Sequence, residues 1–261
     1  MAKYQFTDTD LAAQRLKYLA EVYAESTRDF ILGAVNYRPQ LALDLGCGPG
    51  YTTHLLAECT HCGQAVGFDN SGRFLSLAEQ SRTAHVSFCL HDVASVPFPV
   101  EPSDLLYCRF LLTHLRDPLN IVGKWATQVR PRGLLLIEEV EWIHTENSLF
   151  TAYLGIVEAL LANQSNQLYA GPIIHQLEST DLLNRRSSQV GRLSVLNHRA
   201  ATMFYLNIQS WKHQPFIRDH YPRETIAALE AELKNLTEKE NNTSEIEWGL
   251  RQIVLERKDY D

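Results

Sequence analysis

The stretch Leu41-Ala42-Leu43-Asp44-Leu45-Gly46-Cys47-Gly48-Pro49-Gly50 constrains this chain more than any other. Its first half is a short apolar run, which fits a strand covered on both faces of a parallel sheet. Its second half carries glycine at every second position. Glycine permits positive φ and has no Cβ, so a ligand can lie directly on such a loop. A helical pattern over residues 51–59 follows at once, and its first N–H groups point into the same space. Asp44 stands at the strand end, where a carboxylate can meet a cation. Three readings compete for the loop. A dinucleotide site asks for G-x-G-x-x-G, and this loop is one residue short, with no later glycine in Thr52-Thr53-His54. A P-loop asks for a lysine that is absent here. The third reading is a bare structural turn.

The surroundings bear on that choice. Residues 65–71 read as a second strand ending in Asp69, whose carboxylate can accept both hydroxyls of a ribose. Residues 85–90 read as a third strand, followed by His91-Asp92-Val93, and residues 103–110 as a fourth. A helix over 120–129 ends in a turn at Arg130-Pro131-Arg132-Gly133, and residues 134–140 form a fifth strand. This alternation predicts a parallel sheet with right-handed crossovers. Ligands bind such sheets at the carboxyl ends of the strands, where Asp44, Asp69, Asp92, Arg109 and Glu138 fall.

Outside residues 41–140 the rhythm changes. Residues 8–36 read as helix, with Thr27 and Asp29 marking a break into two helices, and the polar and aromatic start around Tyr4, Phe6 and Arg15 suits a lid. Residues 146–184 read as helices broken at Gly171-Pro172 and resumed over 173–183. A sixth strand at 190–196, helices at 200–212 and 225–236, and a closing antiparallel strand at 246–255 complete the plan.

Asp44-Leu45-Gly46-Cys47-Gly48-Pro49-Gly50 resembles the first motif of class I S-adenosylmethionine (SAM)-dependent methyltransferases. The chain is most similar to the small-molecule branch related to quinone-biosynthesis methyltransferases, over residues 41–140. The resemblance implies an α/β, Rossmann-like fold: a seven-stranded, mostly parallel sheet with its last strand antiparallel, helices on both faces and a helical cap. It implies SAM as cofactor, held by Asp44, Gly46, Cys47, Gly48, Gly50, Asp69, Asn70, Asp92, Val93, Arg109 and Phe110. In that family the loop backbone cradles the methionine part, and the first acid reaches its amino group directly or through water. The third acid meets the adenine amino group. One methyltransferase domain then spans 1–261: lid helices at 1–40, a SAM-binding core at 41–142, a helical cap with the sixth strand at 143–212, and the last helix and strand at 213–261.

The expected activity is methyl transfer to an O, N or C atom of a small organic acceptor, with secondary metabolism as its setting. The alternative is a SAM-binding protein without methyl transfer, either a non-methylating catalyst or an interaction module. Methyl transfer rests mostly on alignment. A base is needed only for a hydroxyl or a protonated amine, and His114 and His144 are the candidates. Phe6, Arg15, Tyr153 and Phe204 are the candidate acceptor-binding residues. Cys108-Arg109-Phe110-Leu111 replaces the Asn-Pro-Pro-Tyr type of motif that marks amino methylation of nucleobases and glutamine.

Composition narrows the partners. A net charge of −7 argues against nucleic acid, which needs a basic surface. No apolar run reaches membrane length, and residues 1–8 lack a signal-peptide core, so a cytoplasmic enzyme acting on a small molecule is expected. Five cysteines, an odd number, are expected to be free thiols. Cys59-Thr60-His61-Cys62 has no second pair to complete a zinc site, so no metal is expected.

Overall fold

The computed structural model describes residues 10–241 and 243–259. Its centre is a seven-stranded sheet. Strand β1 (Leu41–Leu45) lies parallel between β2 (Gln64–Asp69) and β4 (Ser103–Arg109), and β3 (Val86–Leu90) flanks β2. Beyond β4 come β5 (Val129–His144), then β7 (Glu245–Arg257), then β6 (Leu183–Leu196), giving the order β3-β2-β1-β4-β5-β7-β6. β7 runs antiparallel to both neighbours, and the other pairings are parallel. The strand order therefore reverses between β1 and β4, the place where open α/β sheets bind ligands.

Alternation along β1 builds two cores. Leu43 and Leu45 point to one face, against Phe68, Leu106, Trp125 and Ile253. Ala42 points to the other, against Phe30, Ile31, Leu56 and Leu105. The first core is covered by helix α4 (Pro118–Trp125), capped by Asp117, whose side chain accepts from the N–H of Asn120. The second is covered by α1 (Asp10–Ala34) and α2 (Tyr51–Thr60). Short α3 (Gly72–Ala78) links β2 to β3 and is capped by Ser71.

A third core forms the cap. Helix α5 (Ser148–Asn163) and, beyond the short α6 (Gly171–Ile174), helix α7 (Asn197–Trp211) pack Phe150, Tyr153, Phe204 and Trp211 together with Trp248 of β7. Helices α8 (Pro215–His220) and α9 (Arg223–Thr237) close it with Ile217 and Leu233. No helix of the described residues is long and apolar enough to cross a membrane.

Three local expectations are corrected. The helix break at Thr27 and Asp29 is absent, and α1 runs unbroken over 25 residues. Thr27 sits within the helix, where its hydroxyl donates to Glu138 Oε2 at 2.6 Å and accepts from Arg109 at 2.8 Å, tying α1 to the sheet. The turn at 130–133 lies inside β5, where the register shifts opposite Ser103 and Leu105 and Arg130 pairs with Asp104. The helix expected over 173–183 stops at Ile174. There Thr180 Oγ1 accepts from the N–H groups of Leu182 and Leu183, and Arg185 donates to the carbonyls of His175 and Leu177, which turns the chain into β6. The sixth strand consequently begins at Leu183 rather than at 190.

Candidate functional site

The glycine loop follows from its backbone angles. Gly46, Gly48 and Gly50 all sit at positive φ, 72°, 52° and 87°. The N–H groups of Gly46 and Cys47 donate to Phe68 O at 2.8 and 2.9 Å, which folds the loop back onto β2. Packing requires glycine at Gly50, where a Cβ would stand 2.6 Å from the Phe88 ring and 3.2 Å from Ala78 Cβ; one on Gly46 would stand 2.8 Å from Leu111 Cδ1, the end of a side chain that can shift. Gly48 differs. A Cβ there would meet only Leu16 Cδ1, at an ordinary 3.5 Å, so the protein leaves room where a ligand would lie.

The acids divide into two kinds. Asp69 lines the cavity at the end of β2, with Oδ2 accepting from Gly48 N–H and Oδ1 from Ser71 N–H, both at 2.8 Å. Asp92 also lines it, and its Oδ1 accepts from Ala94 N–H at 3.0 Å. Asp44 is buried beneath the loop and is not part of the cavity wall. Its Oδ2 accepts from the hydroxyls of Thr52 and Thr53, at 2.6 and 2.7 Å. Burial raises its pKa to about 6, against the two threonine hydrogen bonds and the nearby charge of Arg109.

Beyond β4 the backbone is bent. Phe110 takes φ 53°, which a bulky residue rarely adopts. Its N–H donates to Glu138 O at 3.1 Å, and the next two N–H groups, of Leu111 and Leu112, donate to Glu139 Oε1 at 2.8 and 2.7 Å. Burial lifts the Glu139 pKa to about 8, although both backbone donors oppose the rise. Arg109 turns toward α1 and donates to Thr27 Oγ1 at 2.8 Å. Glu138 gathers Thr27, Tyr107 and Gln252, at 2.6, 3.1 and 2.7 Å, in a buried network that ties α1 to the sheet.

These elements enclose one cavity of about 680 Å³. Its outer half is the loop with Asp69, Asn70, Asp92 and Val93; Cys47, Arg109 and Phe110 also line it. Its inner half is lined by Arg15 of α1, Tyr153 of α5, and Met203, Phe204 and Asn207 of α7. Tyr153 and Phe204 stack with centroids 4.3 Å apart, and Asn207 Nδ2 donates to the Tyr153 hydroxyl at 2.6 Å. His114 lines the cavity too, and burial, assisted by the charge of Arg15, lowers its pKa to about 4. His144 is exposed at the far end of β5 and does not line the cavity. Phe6 lies outside the described residues.

Sequence reading passed over Asn207, Tyr23 and Thr52, all of which line this cavity. Asn207 left a faint signal: it lies on the buried stripe of α7 with Phe204, Ile208 and Trp211, all apolar.

Residues 43–137 match the family described as "Methyltransferase domain". The core is a class I methyltransferase domain. Methyltransferases of this class use SAM. Part of the chain, 118 residues, is 35% identical to trans-aconitate 2-methyltransferase of Yersinia pestis (strain Pestoides F), covering 44% of this chain and 45% of that one. The matched segment thus spans under half the length of that curated relative. The plantazolicin methyltransferase BpumL, solved with S-adenosylhomocysteine (SAH), superposes at TM-score 0.57 with 11% identity, covering 99% of this chain and 94% of that one. The [4+2]-cyclase SpnF superposes at 0.51 with 18% identity, over 91% and 81%. Likeness at these identities shows that the methyltransferase fold is shared. A cyclase among the neighbours shows that the fold alone does not set the chemistry.

Proposed function

We propose that this chain transfers a methyl group from SAM to a small, mostly apolar organic acceptor. The observation that carries the reading is the continuity of the cavity. It runs from a glycine loop that leaves room at Gly48, past Asp69 and Asp92, to an aromatic inner wall at Tyr153 and Phe204. In this reading SAM occupies the first half and the acceptor the second.

In this reading Asp69 holds the ribose hydroxyls, Asp92 and Val93 meet the adenine, and the Arg109-Phe110 backbone closes the adenosine side. Asp44 acts through Thr52. The Thr52 hydroxyl donates to Asp44 and lines the cavity, so its oxygen keeps a lone pair for an ammonium group. When bound, SAM supplies a methyl on a sulfonium that an aligned nucleophile displaces, with the C–S electron pair leaving on sulfur. The protein's part is alignment and exclusion of water. With a pKa near 4, His114 is neutral and a weak base at neutral pH, far from the value that general-base catalysis favours. That supports positioning over proton abstraction. Helix α1 covers the site as a lid, and α5 with α7 forms the acceptor wall.

Calorimetric titration with SAH tests cofactor binding, and incubation with methyl-labelled SAM and host extract tests transfer. SAH binding with label entering a small product is expected. Absence of SAH binding to folded protein rejects the reading. SAH binding with no labelled product under any condition favours a SAM-binding protein without transfer.

A further inference from the structure

Asn207 is, besides Arg15, a polar residue in the inner half of the cavity. Its side chain is only 8% exposed and lines the cavity among Met203, Phe204 and Leu161. One amide atom is used, Nδ2 donating to the Tyr153 hydroxyl at 2.6 Å. The other, Oδ1, is buried and has no hydrogen-bond partner among the described residues. An unpaired buried acceptor carries a desolvation penalty that folding normally avoids. Its neighbours on the same stripe, Phe204, Ile208 and Trp211, are apolar, and the bond to Tyr153 accounts for only one of the two amide atoms. A polar group held without a partner at a cavity wall is a group waiting for one from the ligand.

The chemistry of that ligand can be narrowed. As placed, Oδ1 accepts and the ligand group donates; a hydroxyl, which both donates and accepts, also serves the amide turned over. Donors are hydroxyls, neutral amines and ammonium groups. An ammonium is opposed by the guanidinium of Arg15, which lines the same cavity and lies close enough to act on the Tyr153 hydroxyl. The surrounding wall is aliphatic and aromatic, which favours a ligand body of the same kind. We infer that Asn207, braced by Tyr153, is the specificity-determining anchor of the acceptor site, and that it selects a neutral hydroxyl group on an apolar scaffold, such as a phenol or an alcohol. The inference rests on the methyltransferase reading only in calling the bound molecule an acceptor.

The test uses the whole chain, with and without saturating SAH, and four probes of one shape: 2-naphthol, 2-methylnaphthalene, 2-naphthoate and 2-naphthylmethylammonium. The quantity read is the ratio of Kd for 2-methylnaphthalene to Kd for 2-naphthol, which cancels the shared apolar contacts. Asn207→Leu is expected to lower that ratio about tenfold, the scale of one hydrogen bond in a dry site. Tyr153→Phe, which releases the Asn207 amide from its brace, is expected to lower it several-fold. SAH affinity should stay within twofold in Asn207→Leu, while its melting temperature should fall, because the buried Tyr153 hydroxyl loses its partner; the ratio is therefore read on folded protein. A ratio unchanged in both variants overturns the anchor. So does failure of every probe to bind, and tighter binding of 2-naphthoate or the ammonium than of 2-naphthol overturns the hydroxyl class. Loss of SAH binding in the unmutated chain would instead reject the methyltransferase reading, while the probe ratio measured without SAH would still decide the role of Asn207.

Discussion

The two halves of the cavity are made in different ways. The outer half is backbone: three left-handed glycines, two strand-end carboxylates that pin loop N–H groups, and a bent residue at Phe110. All of it comes from short segments following β1, β2, β3 and β4. The inner half is side chains from α1, α5, α7 and β7, residues far apart in sequence and brought together by packing. A backbone site holds a fixed ligand with few options for change. A side-chain site can change its ligand while the fold stays. On this division, substitutions in the outer half should alter cofactor affinity, and substitutions in the inner half should alter stability or acceptor choice.

The largest expected effect is in the inner half. Phe204 is buried, stacks on Tyr153 and meets Phe150 edge-on at 5.2 Å. Phe204→Ala should cost about 3–5 kcal/mol of stability, as core aromatic truncations do. SAH affinity in the folded variant should change less than twofold. A melting temperature unchanged from the parent would show that this wall is not core, and the contrast between the halves would weaken.

Asp44 gives the next effect, and it tests whether the outer half is tuned electrostatically. Its pKa rises from 3.8 to about 6 because burial disfavours the charged form. The folded state therefore keeps this proton more tightly than the unfolded state. Stability is lost as pH climbs from the unfolded value near 4 to the folded value near 6, and the loss is complete above that. Linkage makes the difference about 3 kcal/mol. Asp44→Asn stays neutral and keeps an acceptor for the two threonines. Denaturant titrations at pH 4 and pH 7 should show the parent losing more stability than the variant between the two. Parallel losses would mean that the carboxylate is not strained by burial.

Gly48→Val sharpens the comparison from the other side. The added carbons enter ligand space rather than protein, so SAH affinity should fall about a hundredfold, equivalent to about 2.7 kcal/mol. Stability should drop by only the cost of a left-handed valine, about 1–2 kcal/mol. Gly50→Ala should show the reverse pattern, since its Cβ collides with Phe88. If the two variants behave alike, the loop is a structural turn rather than a cradle.

This division also explains what was legible in the sequence. β1, the loop and the acids at Asp69 and Asp92 were readable because alternation, glycine spacing and strand ends are local. The seven-stranded sheet with its antiparallel last strand came from the resemblance and is present. The burial of Asp44 under Thr52 and Thr53 was not readable, since strand-end acids with opposite exposures look alike in sequence. Nor was the unbroken α1: Thr27 suggests a break until Glu138, 111 residues away, accepts from its hydroxyl and Arg109 donates to it. His144 lies near a predicted strand end, but β5 runs on past the cavity and leaves it exposed. Asn207 required the fold, because an isolated polar residue on a helix stripe means little until its neighbours close around it.

The smallest expected effect concerns Asp69, and it separates two roles that one carboxylate can play. Each of its oxygens already accepts a backbone N–H, from Gly48 or Ser71, so the side chain shapes the loop. A carboxylate oxygen can accept more than one hydrogen bond, and Asp69 also lines the cavity. Asp69→Ala should weaken SAH about tenfold, the scale of one bond to a charged acceptor. That result alone does not distinguish a lost ribose contact from a loosened loop. The distinction comes from pairing the variant with a ligand lacking the ribose hydroxyls, 2′,3′-dideoxy-SAH. If Asp69 holds the ribose, the parent prefers SAH over the dideoxy ligand and the variant shows little preference, a coupling between residue and hydroxyls. If Asp69 only braces Gly48, the variant weakens both ligands equally and the preference survives. In that case the ribose is held elsewhere, and the outer half is less fixed by its backbone than the comparison with the cap requires.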